Sequence, residues 1–220
     1  MVSRFHKEKR KLIFLIEMVK GDFEMGKLYF RFGVMGSSKT ANALMVRYNY
    51  LEKEKNVILL KPKLDNRDGE KIVKSRIGIE SECIFIEDFL KEAEDDKTIL
   101  HHCSCIIIDE AQFMKAKQVE TFAYIVDEYN IPVICYGLKT DFKGELFEGS
   151  RRLIELSDVI EEIPTVCWCG CKAKFNARIS NGKVLRDGEQ VQLGGNESYV
   201  GLCRKHYREG LLGEENKNHR

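Results

Sequence analysis

The octapeptide Gly33-Val34-Met35-Gly36-Ser37-Ser38-Lys39-Thr40 has the spacing of a phosphate-binding loop, G-x-x-x-x-G-K-[ST], except that Ser38 stands where the motif has glycine. In such a loop, successive backbone N–H groups and the N-terminus of the following helix bind phosphate oxygens. Lys39 would reach the β- and γ-phosphates, and the Thr40 hydroxyl would bind Mg²⁺. A Cβ at position 38 would crowd the phosphate or resist a backbone of positive φ. A second cluster is Asp109-Glu110, placed directly after the apolar run Cys105–Ile108. A strand that ends in an acid downstream of a phosphate loop suits a Mg²⁺-associated carboxylate, Asp109, beside a general base, Glu110. The third is a split set of soft ligands, Cys167, Cys169 and Cys171 before a hairpin and Cys203 and His206 after it. Two such pairs suit tetrahedral zinc, in a closed structural site with no position left for water. Cys167, Cys169, Cys203 and His206 are the preferred ligands, and Cys171 is able to replace either Cys167 or Cys169. Each cluster also has a plainer reading: a helix-capping Ser/Gly turn, a solvated acidic turn, a set of buried thiols. Their combination in one chain favours nucleotide chemistry.

Elements of fixed order must position these groups. Lys27–Phe32 reads as a strand, Ala41–Lys53 as a helix of period 3.6, and Asn56–Leu60 as a buried strand. Lys61–Arg76 is polar and reads as a loop. A short strand, Cys83–Ile86, a short helix, Glu87–Glu94, and the strand Cys105–Ile108 follow. Lys115–Glu128 reads as a helix, and Ile131–Tyr136 as another strand. This alternation predicts a parallel sheet with crossover helices, and runs such as NVILL and CIII fit strands buried on both faces. Cys83, Cys103, Cys105, Cys135, His101 and His102 read as packing. Beyond about residue 164 helical periodicity fades, and Asn181-Gly182 between Lys174–Ile179 and Lys183–Leu185 signals a hairpin. The expected organisation is an N-terminal extension over 1–24, an α/β nucleotide-binding domain over 25–163, a zinc-bearing domain over 164–211, and a polar tail over 212–220.

Composition narrows the function. Lys plus Arg number 36 against 35 Asp plus Glu, so the net charge of +1 provides no field for a polyanion. Nucleic-acid binding would need a local patch, for which Arg151, Arg152, Lys172, Lys174, Arg178, Arg204 and Lys205 are the candidates. No apolar run approaches the roughly 20 residues of a membrane span. The basic stretch before Leu12–Ile16 imitates a signal peptide, but Glu17 interrupts it and no small-residue cleavage site follows. Clustered cysteines in a chain of this length point to metal and a reducing compartment. A cytoplasmic protein with neither nucleic-acid nor membrane partners is expected.

The chain resembles the thymidine kinases of the zinc-containing bacterial and cytosolic class (type II). The resemblance runs from about Lys27 to Gly210. It is carried by LYFRFGVMGSSKT (28–40), SRIG (75–78), CIIIDEAQF (105–113), IPVICYGLKTDFKGELFEGS (131–150), the cysteine cluster and GEQVQLGGNESYVGLCRKHY (188–207). It implies a P-loop (RecA-like) parallel sheet core with a small C-terminal zinc-containing lasso domain. It also implies an enzyme that transfers the γ-phosphate of MgATP to the 5′-hydroxyl of thymidine or deoxyuridine. By that resemblance Glu110 is the general base, Asp109 the Mg²⁺-associated acid, and Gln112 and Phe113 complete their motif. Gly33 to Thr40 hold the phosphates, with Arg67 near them. Phe142 and Phe147 flank the base, while Met35, Leu138, Phe113 and Tyr199 line the same pocket. Val191, Gln192, Leu193, Gly194 and Gly195 form a lasso loop whose backbone reads the thymine edge, pinned at its ends by zinc. A homotetramer inhibited by dTTP is implied as well. Ser38, and Asn66 where relatives often carry Asp, are the departures; a nucleotide-binding homologue impaired by Ser38 is the second reading.

Overall fold

The computed structural model describes residues 26–65, 69–191 and 199–213. The expectations for 1–24, Arg67, Gln192–Gly195 and the end of the tail lie outside the described residues. Six strands form one parallel sheet in the order β5-β2-β6-β7-β1-β8. They are β1 (Leu28–Phe32), β2 (Val57–Lys61), β5 (Ile84–Phe85), β6 (Cys105–Ile108), β7 (Val133–Gly137) and β8 (Val159–Glu162). The crossover after β1 runs through α1 (Lys39–Leu51) to β2, past β7 and β6, so the chain order reverses beside β1. In open parallel sheets ligands bind at such a reversal, outside the carboxyl ends of the strands.

Side-chain alternation explains how both faces are covered. Leu28, Phe30, Ile106, Ile108, Val133 and Cys135 point to one face, where they meet α2 (Ile86–Asp95), α4 (Ala116–Tyr129) and α5 (Glu148–Leu156) through Phe89, Phe122 and Leu153. Cys105, Ile107, Ile134 and Tyr136 point to the other, against Ala43 and Leu44 of α1. All four residues of β6 are 0% exposed, so the acids that follow it rest on a fully buried strand. A short helix, α3 (Thr98–His101), leads into β6.

Two small sheets flank this core. Of the antiparallel pair β3 (Ile72–Lys74) and β4 (Glu80–Glu82), β3 occupies the end of the stretch read as a loop, and β4 a segment between that loop and Cys83 to which sequence assigned no element. Its three-residue strands bury only Val73, so no hydrophobic alternation marks them. Helix α5 and edge strand β8 are likewise additions to the sequence reading. The other sheet has the order β10-β9-β11, with β9 (Phe175–Ser180), β10 (Lys183–Val184) and β11 (Tyr199–Leu202), followed by α6 (Arg204–Glu209). Asn181 and Gly182, at φ 50° and 70°, make the expected two-residue turn between β9 and β10. Among the described residues no helix is long and apolar enough to cross a membrane.

Candidate active site

The carboxyl ends of β1, β6 and β7 open into a cavity of about 400 Å³. Met35, Gly36, Ser38, Lys39 and Thr40 reach it from the loop after β1, and Asp109, Glu110, Gln112 and Phe113 from the turn after β6. Leu138, Phe142 and Phe147 reach it from the segment after β7, and Val191 and Tyr199 from the C-terminal part. Gly33 and Val34 border a smaller cavity of about 50 Å³ instead, and Ser37 is buried. Gly33 is required there for packing: a Cβ on it would lie 2.3 Å from Ser37 Oγ and 2.5 Å from the Ile163 carbonyl oxygen.

Sequence placed a defect in the phosphate loop, and the backbone shows what it costs. Ser38 sits at φ 59°, ψ 27°, in the left-handed region, and its side chain makes no helix-capping hydrogen bond. For a residue with a Cβ that conformation costs about 1–2 kcal/mol. The turn is nevertheless intact. Gly36 takes φ 82°, Ser37 N–H donates to Val34 O at 3.2 Å, and Asn42 N–H donates to Ser38 O at 3.0 Å, opening α1. Lys39 Nζ lies across the loop, donating to Val34 O at 3.1 Å.

Glu110 is the second non-glycine residue of the site in the left-handed region, at φ 50°, ψ 36°. Strain of this kind survives only where surrounding contacts impose it. Here Gln112 imposes it: its Nε2 donates to Glu110 Oε2 at 2.5 Å, and its Oε1 accepts from Leu138 N–H at 2.9 Å. Gln112 thereby ties the acidic turn to the end of β7. Asp109 is buried, and its N–H donates to Leu60 O at 2.9 Å. Burial first, and the Glu110 carboxylate second, push the Asp109 carboxyl above the usual carboxylate range, against the opposing pull of the Thr40 hydroxyl and the Lys39 ammonium.

The aromatic wall is built from pairs. Phe113 and Phe147 meet edge to face at 5.8 Å between centroids. Beneath Phe142 lies Arg178, whose guanidinium carbon is 3.9 Å from the ring centroid. Arg178 is 3% exposed, donates from Nε to Tyr199 Oη at 2.7 Å and from Nη2 to Gln190 O at 3.4 Å. Gln190 Nε2 in turn donates to Asp141 Oδ2 at 3.0 Å. Asn176 couples the two halves of the site: its Oδ1 accepts from Met35 N–H at 2.8 Å, and its Nδ2 donates to Thr140 O at 2.9 Å. Sequence reasoning missed Asn176, Asp141 and Gln190, and named Arg178 among the candidates for a surface basic patch. Three of those candidates are not free surface cations. Arg178 is buried, Lys172 pairs with Glu162 at 2.5 Å, and Arg152 pairs with Glu120 and Glu155. The signal available was a polar pair, Asn176 and Arg178, inside a strand pattern otherwise fit for burial.

Cys167, Cys169, Cys203 and His206 bring their ligand atoms within 4.8 Å of one another. Cys167 Sγ lies 3.4 Å from His206 Nδ1, and Cys169 Sγ lies 4.0 Å from Cys203 Sγ. Ligands about 2.3 Å from a central zinc in a tetrahedron sit roughly 3.8 Å apart, so the donor set and its spacing fit that ion. Cys171 is exposed and outside the set. A hydrogen bond at the Cys171 backbone lowers the Cys169 thiol below its ordinary value, favouring the thiolate. Trp168 stacks on His206 at 4.2 Å, which fixes the plane of the ligand ring.

A phosphate loop and an Asp-Glu turn at the carboxyl ends of one parallel sheet, facing a shared aromatic pocket, are the architecture of P-loop kinases. Comparison with known proteins narrows the class. A family profile described as thymidine kinase matches residues 26–207, and the chain belongs to the thymidine kinase family. It is 48% identical over 184 residues to the thymidine kinase of Lactiplantibacillus plantarum, covering 83% of this chain and 96% of that one. It is 46% identical to the thymidine kinase of Lactococcus lactis, over 83% and 97% of the two chains. The thymidine kinase of Shewanella oneidensis is 46% identical over 84% and 98%.

Proposed function

We propose that the protein transfers the γ-phosphate of ATP to the 5′-hydroxyl of thymidine, or of deoxyuridine, in nucleotide salvage. The observation that carries this is the single cavity shared by the phosphate loop, the Asp109-Glu110 turn and the aromatic wall. Glu110 accepts the proton of the 5′-hydroxyl as the O5′–P bond forms and the bond from Pγ to the ADP oxygen breaks. Lys39 and the loop N–H groups carry the phosphate charge. The Thr40 hydroxyl and Asp109 would hold Mg²⁺, which supplies neutralisation of the phosphates when bound with ATP. Phe142, Phe147 and Phe113 sandwich the base, with Met35, Leu138 and Tyr199 closing around it. Val191 leads into the lasso over 191–195, whose backbone would read the thymine edge. Arg67 would add charge at the phosphates. Rejection of a base with a mispaired edge follows from the cost of a buried unpaired amide, about 1–3 kcal/mol.

In this reading residues 25–163 bind the phosphates, and 164–211 close over the nucleoside with zinc held by Cys167, Cys169, Cys203 and His206. A cytoplasmic homotetramer, inhibited by dTTP, without nucleic-acid or membrane partners, completes the proposal. The alternative of a homologue disabled at Ser38 draws no support, because the loop accommodates Ser38 and keeps its hydrogen bonds. Phosphorylation of radiolabelled thymidine by the zinc-loaded protein with MgATP, with Lys39→Ala as blank, tests the reading. Turnover above the blank is expected; none, in a folded protein, refutes it.

A further inference from the structure

Three cations border the cavity: Lys39, Lys74 and Arg76. Lys39 is engaged with Val34 O, and Lys74 with Glu80 at 2.8 Å. Arg76 has no ion pair or hydrogen bond among the described residues. It is exposed, at the tip of the β3–β4 hairpin. Its Nη1 lies 3.8 Å from the point where a Cβ on Gly36 would stand, directly over the phosphate loop. A guanidinium held at that place, with its donors unspent, has an obvious complement in a phosphate oxygen.

The hairpin holds the arginine in place. Ser75, which is buried, closes the turn on Ile79 three times. Ser75 N–H donates to Ile79 O at 2.8 Å, Ser75 Oγ donates to the same oxygen at 3.0 Å, and Ile79 N–H donates to Ser75 Oγ at 3.1 Å. Gly78 adds a donation to Ser75 O at 3.0 Å, with φ 87°. Such closure fixes the direction of the intervening Arg76 without tying up its head group.

We propose that Arg76 is a catalytic residue, a guanidinium supplied in cis that grips the ATP phosphates and stabilises the charge spread over the transferring phosphoryl group. This rests on the phosphoryl-transfer reading above. Bond making and breaking are unchanged: O5′ joins Pγ, the ADP oxygen leaves, and the proton passes to Glu110. Arg76 stays charged throughout and exchanges no proton. Preorganised charge of this kind acts mainly on the transition state.

The test compares wild type, Arg76→Ala and Arg76→Lys in thymidine phosphorylation and in calorimetric binding of MgATP. Arg76→Ala is expected to lower kcat about 100- to 1,000-fold, to weaken MgATP several-fold, and to leave the thymidine KM and thermal midpoint unchanged. Arg76→Lys recovers part of both losses, and added guanidinium ion restores part of the Arg76→Ala turnover. Turnover of Arg76→Ala within threefold of an active wild type, with MgATP affinity intact, overturns the assignment. A wild type no better than the Lys39→Ala blank refutes the phosphoryl-transfer reading itself; MgATP affinity then still decides Arg76, weakened binding supporting the grip and equal binding overturning it.

Discussion

The cavity has two walls, and they are held by different forces. The phosphate-side wall consists of short loops springing from β1, β6 and β7, strands whose side chains fill a continuous apolar core on both sheet faces. The nucleoside-side wall, beyond β8, rests on a small cluster of Cys167, Ala173, Ala177, Leu202 and Cys203. What it lacks in apolar area it replaces with buried polar groups that are paired: Asn176 with Met35 and Thr140, Arg178 with Tyr199 and Gln190, His206 among three thiols. A wall fixed by hydrophobic burial tolerates a strained residue, as Ser38 demonstrates. A wall fixed by polar pairs and ligand atoms does not tolerate loss of a partner, since each orphaned buried group costs about 1–3 kcal/mol.

The hardest blow to that contrast is removal of metal. Ligand clusters in small folds contribute on the order of 10 kcal/mol of apparent folding energy. Chelation, or His206→Ala, is expected to unfold the nucleoside-side wall and abolish thymidine binding. Most far-ultraviolet circular dichroism from the parallel sheet and its helices is retained. A chelated protein that melts and binds thymidine as before would show that the second wall stands on its polar pairs alone.

Next in size is Glu110→Gln. The amide keeps the bond to Gln112 and the shape of the turn, while removing the proton acceptor. Turnover should fall about 10²–10⁴-fold, with thymidine affinity and thermal midpoint close to wild type. Loss of affinity in parallel would make Glu110 a structural element of the phosphate-side wall.

How much of this could be seen in sequence follows the same division. The runs NVILL and CIII were legible because parallel strands buried on both faces leave continuous apolar runs, and the phosphate loop and the acids after CIII because phosphate chemistry demands fixed spacing. The Asn181-Gly182 hairpin was legible because few dipeptides accept two positive φ values. Strands β3 and β4 were not, since strands of three residues, with only Val73 buried among the six, are too short to carry a period. Edge strand β8 (VIEE), mostly exposed, left no trace either. Arg178 was the instructive failure. Composition places arginine on the surface, and only the three-dimensional meeting of Phe142, Tyr199 and Gln190 makes its burial favourable.

Arg178 therefore offers a sharper probe of the second wall than its ligand cluster does. Arg178→Met keeps the length and apolar contact but removes the cation beneath Phe142 and the donor to Tyr199. A loss of about 2 kcal/mol in thymidine binding is expected, read as a KM raised roughly 30-fold with kcat changed much less. Arg178→Lys, which retains charge without the planar fork, should fall between. Equal effects on kcat and KM would show that Phe142 and Tyr199 position the reacting hydroxyl rather than the base.

The smallest effect belongs to the first wall and to Ser38. Replacement by glycine removes the left-handed penalty of about 1–2 kcal/mol. It also gives the unfolded chain more freedom, which offsets roughly 0.5–1 kcal/mol of the gain. The net is a stabilisation of at most about 1.5 kcal/mol, and for a chain of this size that raises the thermal midpoint by roughly 3–6 °C at most. Turnover should rise modestly, because the loop N–H groups turn toward phosphate without a Cβ beside them. A lower midpoint together with lower turnover would mean that the Ser38 hydroxyl itself binds the phosphate. The strained backbone would then serve phosphate binding rather than be a tolerated substitution.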